Sequence, residues 1–481
     1  MVIEYFKQIC DVPRGSGYNT KISNFLVEFA KSRNLRYIQD EFENVIIFRP
    51  GSKGFETAPP LIFQGHMDMV CEKVNESIHD FENEGIKYIF EDGFIRADGT
   101  TLGADDGIAL AYMLELLADD KLVCPPLEMV FTTDEETGMD GATNLDTSVL
   151  KGRCMINLDS EEEKGFVVAC AGGRKTTTRI PVSRETVRGI ELTVEISGLK
   201  GGHSGTEIDK NRSNAVLLLG RLLAYLPNDM FYLLDIGGGY KDNVIPNEAY
   251  VRLVAAPDKI EELAGICGDA AVIISDELMI SEPDLEISIT EDDANRIFDY
   301  EVLDADSYAK VFYFLTYVPN GVQVMSASIP GMVESSLNLG VFRIEGDYVK
   351  GVVSLRSQKE SYKDYMTKKL EGIASMIEAE FIVSGEYPGY DMTPESEFRD
   401  VMCDAYEEVF KRKPVIAAIH AGLEIGVLSE KIPGLDVISI GPDTFDIHTV
   451  EEKVEIASIE RVEAFIRKAI EKYCSIFGQN A

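Results

Sequence analysis

The sequence predicts an α/β fold in which a mixed-sheet domain is interrupted by a smaller α/β domain. Between residues 20 and 185, helical patterns such as residues 108–117 alternate with short runs of apolar and β-branched residues. Strands that alternate with helices indicate a sheet with helices on its faces. The β-rich runs of this region are residues 45–48, 61–63, 127–131 and 155–158.

A short excursion from this sheet is predicted at residues 86–96. Asp92 and Gly93 lie there between alternating apolar residues. An Asp-Gly pair in that setting is a strong signal for a tight β-hairpin.

The pattern changes near Pro181, which indicates a second domain. Residues 190–197 alternate as a half-buried strand, and strand and helix patterns continue to about residue 380. Helix and strand patterns then resume over residues 396–412, 415–419, 436–440 and 459–477. This last stretch of about 90 residues is short for a core of its own, so we expect it to complete the first sheet. The predicted domains are 1–185 with 388–481, and 186–387.

The composition limits the expected partners and compartment. The chain has 481 residues, with 46 Lys plus Arg against 83 Asp plus Glu, and its formal net charge is −37 at pH 7. Such charge repels phosphate backbones and anionic lipid headgroups, so neither nucleic acid nor membrane is an expected partner. The eight cysteines are scattered without a C-x-x-C pair, and the first residues lack the pattern of a signal peptide. A cytoplasmic protein with reduced thiols is therefore expected.

His66 and Asp68 follow the apolar run at residues 61–63. The period of two in a strand places both side chains on the same side. A metal-ligating histidine often has a carboxylate close enough to orient its ring. The alternative is a strand end with two solvated polar residues.

Acidic residues lie at three further positions, one before a predicted helix and two after predicted strands. Asp105 and Asp106 precede an apolar helix, where the alternative for either is a helix N-cap. Glu135 and Glu136 follow the strand at 127–131, and Asp159 follows the strand at 155–158. Adjacent buried carboxylates repel one another unless a cation is present. In open α/β sheets, ligands collect at the carboxyl ends of strands.

These positions together predict a metal site with nitrogen and oxygen ligands. Such ligands suit zinc, manganese or cobalt, and they fit hydrolytic rather than structural use. A late histidine would complete the set, and the candidates are His420 and His448.

The motifs carry a family resemblance. In chain order they are G-H-x-D, G-A-D-D-G, D-E-E-x-G, N-L-D, G-G-H-S-G and a late G-P…H…E-E. The sequence resembles the two-metal aminopeptidase and carboxypeptidase clan that includes aminoacylase and carboxypeptidase G. It is most similar to the aminoacyl-histidine dipeptidase branch, whose local patterns match residues 63–71 and 419–424. The resemblance implies a dizinc exopeptidase catalytic domain, 1–185 with 388–481, and a lid and dimerisation domain, 186–387.

Carried over by position, the resemblance implies five metal ligands. Asp105 would bridge two divalent metal ions, zinc first, with manganese or cobalt as alternatives. His66 and Asp159 would complete one site, and Glu136 and His448 would complete the other.

The resemblance also implies roles for residues that do not bind metal. Glu135 would be the general base, and Asp68 would orient His66. His203 would stabilise the oxyanion, and in dimeric relatives it comes from the partner subunit. No task is assigned to Asp106, which is Asn in some relatives.

Three further residues are candidate substrate contacts. Asn243 begins an Asn-Val-Ile-Pro turn similar to one in the clan, and Arg356 resembles its substrate arginine; the alternative for Arg356 is an exposed strand residue. A guanidinium suits a free C-terminal carboxylate. His420 has two interpretations, a substrate contact or a structural hydrogen bond. His79 is expected to be structural or solvated.

The function implied by the resemblance is hydrolysis of small peptides, namely dipeptides with C-terminal histidine such as β-alanyl-histidine. No single residue independently indicates the histidine preference. A tripeptidase, a carboxypeptidase or an N-acyl amino acid deacylase would be alternatives on the same scaffold. A different class would be a catalytically inactive, metal-dependent binding protein. Relatives imply a homodimer through the lid domain.

Overall fold

The computed structural model describes residues 1–291 and 297–478. The chain forms two compact units. Unit 1 comprises Met1–Cys170, Tyr390–Ala418 and Leu423–Ala481, whereas unit 2, the smaller one, comprises Ala171–Gly389 and Ile419–Gly422.

The described residues contain twelve α-helices. They are α1 (Val2–Cys10), α2 (Thr20–Ser32), α3 (Ala104–Ala118), α4 (Glu135–Gly138), α5 (Asp140–Asn144), α6 (Ala215–Leu223), α7 (Ile260–Leu278), α8 (Ala305–Tyr317), α9 (Glu360–Met376), α10 (Glu397–Phe410), α11 (Glu424–Lys431) and α12 (Ile456–Phe477).

The strands of the described residues, in chain order, are β1 (Arg36–Gln39), β2 (Val45–Arg49), β3 (Leu61–His66), β4 (Tyr88–Glu91), β5 (Phe94–Ala97), β6 (Leu127–Thr132), β7 (Cys154–Asn157), β8 (Gly165–Cys170), β9 (Gly172–Pro181), β10 (Arg184–Ser197), β11 (Gly202–His203), β12 (Tyr232–Gly238), β13 (Val244–Ile245), β14 (Ala249–Ala255), β15 (Glu286–Glu291), β16 (Phe298–Leu303), β17 (Gly321–Met325), β18 (Val333–Glu345), β19 (Tyr348–Ser357), β20 (Glu380–Tyr387), β21 (Val415–Ile419), β22 (Asp436–Ser439), β23 (Thr444–Phe445) and β24 (Lys453–Glu455).

Unit 1 is built on an eight-stranded mixed sheet with the order β1-β2-β6-β3-β7-β22-β8-β21. Its central strand, β3, runs parallel to both β6 and β7. Every residue of β3 and β6 is buried, as expected for parallel strands covered on both faces. The apolar helix α3 packs on β3, and α1 packs on α3. The predicted α/β fold is confirmed.

A four-stranded sheet with the order β23-β24-β5-β4 lies beside these elements in unit 1. The predicted hairpin is present as the antiparallel pair β4–β5. Asp92 and Gly93 both have positive φ, 51° and 86°, as a tight two-residue hairpin turn requires. The loop between β23 and β24 carries His448.

Unit 2 contains a ten-stranded sheet whose main order is β15-β10-β14-β12-β18-β19-β9-β20, with β16 paired to β10 and β17 to β18. The apolar faces of α6, α7, α8 and α9 pack against this sheet and form one core with it. β9 was expected in the first domain, but it pairs with β19 and β20. Pairing to two strands of unit 2 explains why residues 171–185 belong to that unit.

All eight cysteines lie among the described residues, and each is a free thiol. Within residues 1–291 and 297–478, no helix has both the length and the apolar character needed to span a membrane.

A buried polar network joins the three central strands of unit 1 to α11. Glu424, fully buried at the start of α11, accepts hydrogen bonds from Gln64 Nε2 at 2.6 Å and Thr132 Oγ1 at 2.5 Å. Asn157 Nδ2 donates to Gln64 Oε1 at 2.6 Å. Because a buried hydrogen bond is costly to leave unmade, this network fixes α11 on β3 and β6.

The burial of Glu424 makes the free energy of unfolding depend on pH. Burial raises the pKa of this carboxyl from its ordinary value of 4.5 to about 8. Between these two pH values the unfolded chain ionises Glu424 and the folded chain does not, so the free energy of unfolding falls as pH rises. Glu424→Gln keeps an acceptor oxygen and removes this titration. We expect the variant to gain stability relative to the wild type between pH 5 and pH 8, by on the order of a few kcal/mol.

Thermal unfolding of the two chains at both pH values measures this change. Glu430→Gln, at an exposed position on α11, is the matched control and should behave as the wild type. A constant difference between wild type and Glu424→Gln across the pH range would contradict the prediction.

Candidate metal centre

The candidate site of unit 1 lies where its parallel strands end. His66 is the last residue of β3, Asp159 follows β7, and Glu136 lies in α4 directly after β6. Since β3, β6 and β7 are parallel, their carboxyl ends share one edge of the sheet. Asp105 reaches the same edge from the start of α3, which packs on β3.

The carboxylate of Asp105 lies between two histidines. Its Oδ1 is 3.0 Å from His66 Nε2, and the same nitrogen is 3.5 Å from Asp159 Oδ1. Its Oδ2 is 3.3 Å from His448 Nε2, which is 3.0 Å from Glu136 Oε2. The structure thus forms two sets of donor atoms, each with one imidazole and two carboxylates, that share Asp105.

The spacing of these atoms tests the fit of a cation. A tetrahedral zinc ion with ligand bonds of ~2.0–2.1 Å has its ligand atoms about 3.3–3.4 Å apart. The four separations, 3.0–3.5 Å, have that size. Donor atoms of His66, Asp105 and Glu136 also lie within 4.8 Å of one another, as do those of His66, Asp106 and Asp159. The residues therefore fit divalent cations.

Asp68 connects the end of β3 to the segment that carries Glu135. Its Oδ1 lies 3.3 Å from His66 Nδ1 and accepts a hydrogen bond from Glu135 N at 3.1 Å. Its Oδ2 accepts hydrogen bonds from Ser16 Oγ at 2.7 Å and Glu136 N at 3.4 Å. This fully buried carboxylate therefore fixes the His66 ring and the start of α4 together.

Negative charge is crowded at this site. Burial raises the pKa of Asp159 to about 6, and it raises the pKa of Glu135 well above its ordinary value. Hydrogen bonds to Asp105 and Glu136 raise the pKa of His448 to about 11. Shifts of this kind arise where acids lack sufficient positive charge nearby. Divalent cations would supply that charge and displace the protons from the histidines.

His203 lies in unit 2, with its Nδ1 accepting a hydrogen bond from Thr206 N at 3.2 Å. Burial lowers the pKa of His203, which favours the neutral ring. Because Nδ1 is an acceptor, the neutral ring carries its proton on Nε2. His203 can therefore donate a hydrogen bond through Nε2.

Arg356 and His420 approach His203 within unit 2. An ideal Cβ at Gly205 would lie 2.6 Å from His420 O, 3.0 Å from His203 Cε1 and 3.2 Å from Arg356 Nε. These contacts show that the last glycine of the G-G-H-S-G motif lies where three segments meet. A side chain at this position would separate them.

The candidate substrate residues differ in their exposure. Arg356 is 8% exposed and donates from Nη1 to Tyr387 Oη at 2.9 Å, so the exposed-strand alternative is wrong. His420 is buried, its Nε2 lies 2.7 Å from Ser336 Oγ, and burial lowers its pKa to about 3. This contact matches the structural alternative for His420. Asn243 is exposed, and its backbone oxygen accepts a hydrogen bond from Ser204 N at 2.9 Å.

Two acids at the site, Asp106 and Glu452, were given no role from the sequence. Asp106 Oδ2 accepts a hydrogen bond from His66 N at 3.1 Å, and its donor atoms group with those of His66 and Asp159. Glu452 contacts the turn before Asp105. The only sequence feature that pointed to Glu452 was its place in the late E-E pair, Glu451-Glu452, of the family motifs.

His79 is buried and packs edge-on against Phe81, with the ring centroids 4.6 Å apart, so it is not solvated.

Comparisons with known proteins identify similar sequences and structures. Cytosol non-specific dipeptidase of Escherichia coli strain K12 is 36% identical over 459 residues, covering 95% of this chain and 94% of that protein. The crystal structure of aminoacylhistidine dipeptidase from Vibrio alginolyticus has a TM-score of 0.91 and 32% identity, covering 98% of this chain and 96% of the other.

A third likeness concerns the fold alone. The aminopeptidase PepT structure from Bacillus cereus has a TM-score of 0.57 at 16% identity, covering 98% of both chains.

The family model described as Peptidase family M20/M25/M40 matches residues 62–472, a range that contains every metal-site candidate from His66 to His448. With this match and the E. coli relative, the chain belongs to Peptidase family M20/M25/M40.

Proposed function

We propose that the chain is a two-metal dipeptidase that hydrolyses dipeptides with C-terminal histidine, such as β-alanyl-histidine. The observation that carries this proposal is the Asp105 carboxylate, each of whose oxygens faces an imidazole that also approaches a second carboxylate. The E. coli relative is named a non-specific dipeptidase and the Vibrio structure an aminoacylhistidine dipeptidase. Both names support dipeptides as the substrate class, and the second supports the histidine preference.

Five residues would hold the cations. His66, Asp105 and Asp159 form one donor set, and His448, Asp105 and Glu136 form the other. Zinc is proposed for both, with manganese and cobalt as alternatives, because the donors are nitrogen and oxygen. When bound, the two cations polarise the scissile carbonyl and lower the pKa of the attacking water.

Glu135 is the proposed general base. Its backbone is held by Asp68, and the next residue in the chain is Glu136 of the second donor set. Its carboxylate accepts a proton from the attacking water and delivers it to the departing amide nitrogen, so the new amine leaves neutral. Asp68 acts by keeping His66 and Glu135 in place.

Substrate binding is proposed to use residues of unit 2. His203 donates through Nε2 to the carbonyl oxygen as negative charge develops there. Arg356 pairs with the substrate carboxylate, since a guanidinium can hold both carboxylate oxygens, and Tyr387 orients it through Nη1. Asn243, an exposed residue, is the further proposed substrate contact, whereas His420 is proposed to hold Ser336 through its buried hydrogen bond.

The oligomeric state and the cellular location are proposed from the similarity to aminoacyl-histidine dipeptidases. We propose a homodimer formed through unit 2 and a cytoplasmic location. The E. coli relative is named as a cytosol enzyme, and the eight cysteines of this chain are free thiols.

Glu135→Gln should keep the metals and lose turnover. The amide has the size of the carboxylate but cannot accept the proton, so kcat should fall by ~10²–10⁴-fold. Elemental analysis should find wild-type metal content in this variant. Asp140→Asn, at an exposed acid of the adjacent α5, is the control and should retain wild-type kcat. Near-normal turnover in Glu135→Gln would refute the base assignment.

Metal removal should abolish hydrolysis of β-alanyl-histidine. A chelator should leave the chain folded and inactive, and stoichiometric zinc, manganese or cobalt added back singly should show which cation restores the rate. Free amino acids released from Xaa-His dipeptides, tripeptides, C-terminally extended peptides and N-acyl amino acids are then compared. We expect the dipeptides to be hydrolysed fastest.

The same panel distinguishes the alternatives. Preferred release from tripeptides, longer peptides or N-acyl substrates would indicate the tripeptidase, carboxypeptidase or deacylase activity instead. Full metal loading without hydrolysis of any substrate would contradict the proposal and favour a metal-dependent binding protein.

Arg356→Lys should weaken dipeptide binding. Lysine keeps the charge but loses the paired donors, so KM for Xaa-His dipeptides should rise by about tenfold or more. The same dipeptides with an amidated C-terminus lack the carboxylate, and their kinetics should not change. Arg343→Lys, at an exposed position in unit 2, is the control. An equal loss on both substrate forms would contradict the carboxylate role.

A further inference from the structure

We propose that Glu452 is a positioning residue that sets the place of Asp105 between the two cations. The proposal rests on the two-metal function above. The Glu452 side chain is 2% exposed, and it faces the turn that leads into α3. No cationic side chain is among its hydrogen-bond partners within the described residues.

The carboxylate of Glu452 accepts hydrogen bonds from four consecutive backbone amides. Oε2 accepts from Leu102 N at 2.7 Å and Gly103 N at 2.9 Å. Oε1 accepts from Ala104 N at 2.8 Å and Asp105 N at 3.4 Å. These amides would otherwise be buried donors without partners at the start of a helix. Only a side chain with two acceptor oxygens can satisfy all four in this way.

The opposite side of the turn is held by Arg14. Its guanidinium donates to Gly103 O and also to Met67 O and Asp68 O, at 3.1 and 2.9 Å. Gly103 has φ of +68°, and a Cβ there would lie 2.5 Å from Arg14 Nη2, so the position requires glycine. The turn is therefore fixed to the end of β3 by Arg14 and to the loop after β23 by Glu452.

The segment 448–452 contacts Asp105 at two points, the side chain and the backbone amide. His448 Nε2 lies 3.3 Å from Asp105 Oδ2, and Glu452, four residues later, contacts Asp105 N. Glu452 N donates to Thr449 O at 3.2 Å, which closes the intervening turn. A displacement of this segment would move His448 and the Asp105 backbone together. The donor set with Glu136 depends on this segment, whereas His66 and Asp159 belong to strand ends of the main sheet.

Glu452→Gln is expected to weaken cation binding selectively. The glutamine amide turns a donor toward amides that are themselves donors, so the Asp105 turn should shift. Loss of a residue that orients metal ligands typically costs 10–100-fold in metal affinity. Because the segment of Glu452 carries His448 as well as holding Asp105, we expect the cation of the His448 donor set to bind 10–100-fold more weakly and the other cation to be weakened less. Raising the free zinc concentration should restore turnover, which a general loss of structure would not allow.

The experiment titrates the metal-free chains with zinc and follows binding by calorimetry. Glu451→Gln, at the exposed neighbouring acid, is the control and should bind two zinc ions with wild-type affinity. Two ions bound to Glu452→Gln with wild-type affinity would overturn the positioning role alone. A wild-type chain that does not bind two ions would instead overturn the proposed function on which it rests.

A second variant covers the case in which Glu452→Gln does not fold. Glu452→Asp keeps the charge but is shorter by one methylene, so it cannot reach all four amides. The same selective loss of one zinc ion is expected in this variant. Wild-type affinity for both ions would overturn the proposal.

Discussion

The sharing of one carboxylate by two imidazoles is the constraint on which the site depends. Asp105 presents one oxygen to His66 and the other to His448. Each imidazole also approaches a second acid, so the site contains more negative than positive charge. A buried excess of carboxylates is unfavourable in a low-dielectric interior. Divalent cations at this edge of the sheet would offset the excess negative charge of these acids.

The parallel strands of unit 1 bring the candidate metal-binding side chains to one edge of the sheet. Parallel strands share an edge, so His66 and Asp159 arrive there on rigid backbone. Asp68 then couples the His66 strand to the segment of Glu135 through a backbone hydrogen bond. Asp105 and His448 lie outside the strands, at the start of α3 and in the loop between β23 and β24. Arg14 and Glu452 hold this part of the chain through backbone groups around Gly103 and do not contact the side chains of the proposed metal ligands in these bonds.

Local patterns in the sequence predicted the features that local geometry determines. The hairpin at Asp92-Gly93, the central strands and the closing helix follow from periodicity and turn chemistry, and the structure contains all of them. The position of β9 was not predictable in this way, because its largely polar sequence does not specify which sheet it joins. Its partners, β19 and β20, lie far along the chain.

The sequence was less informative for buried acids with distant partners. At the start of α3, the expected alternative was an aspartate N-cap. The structure has Gly103 at that position, and a carboxylate from Glu452, about 350 residues away, satisfies the amides. Glu424 likewise pairs with Gln64 across 360 residues. Such pairings depend on tertiary contacts alone, so no spacing or composition reveals them. The two donor sets, by contrast, came from motif order and family resemblance.

The most direct test of the account is the location of the metals in a zinc-loaded crystal. An anomalous difference map at the zinc absorption edge should show two peaks on opposite sides of the Asp105 carboxylate. One peak should contact His66 Nε2 and Asp159, and the other should contact His448 Nε2 and Glu136. A map without two peaks next to Asp105, or with zinc bound elsewhere in the chain, would contradict the central claim.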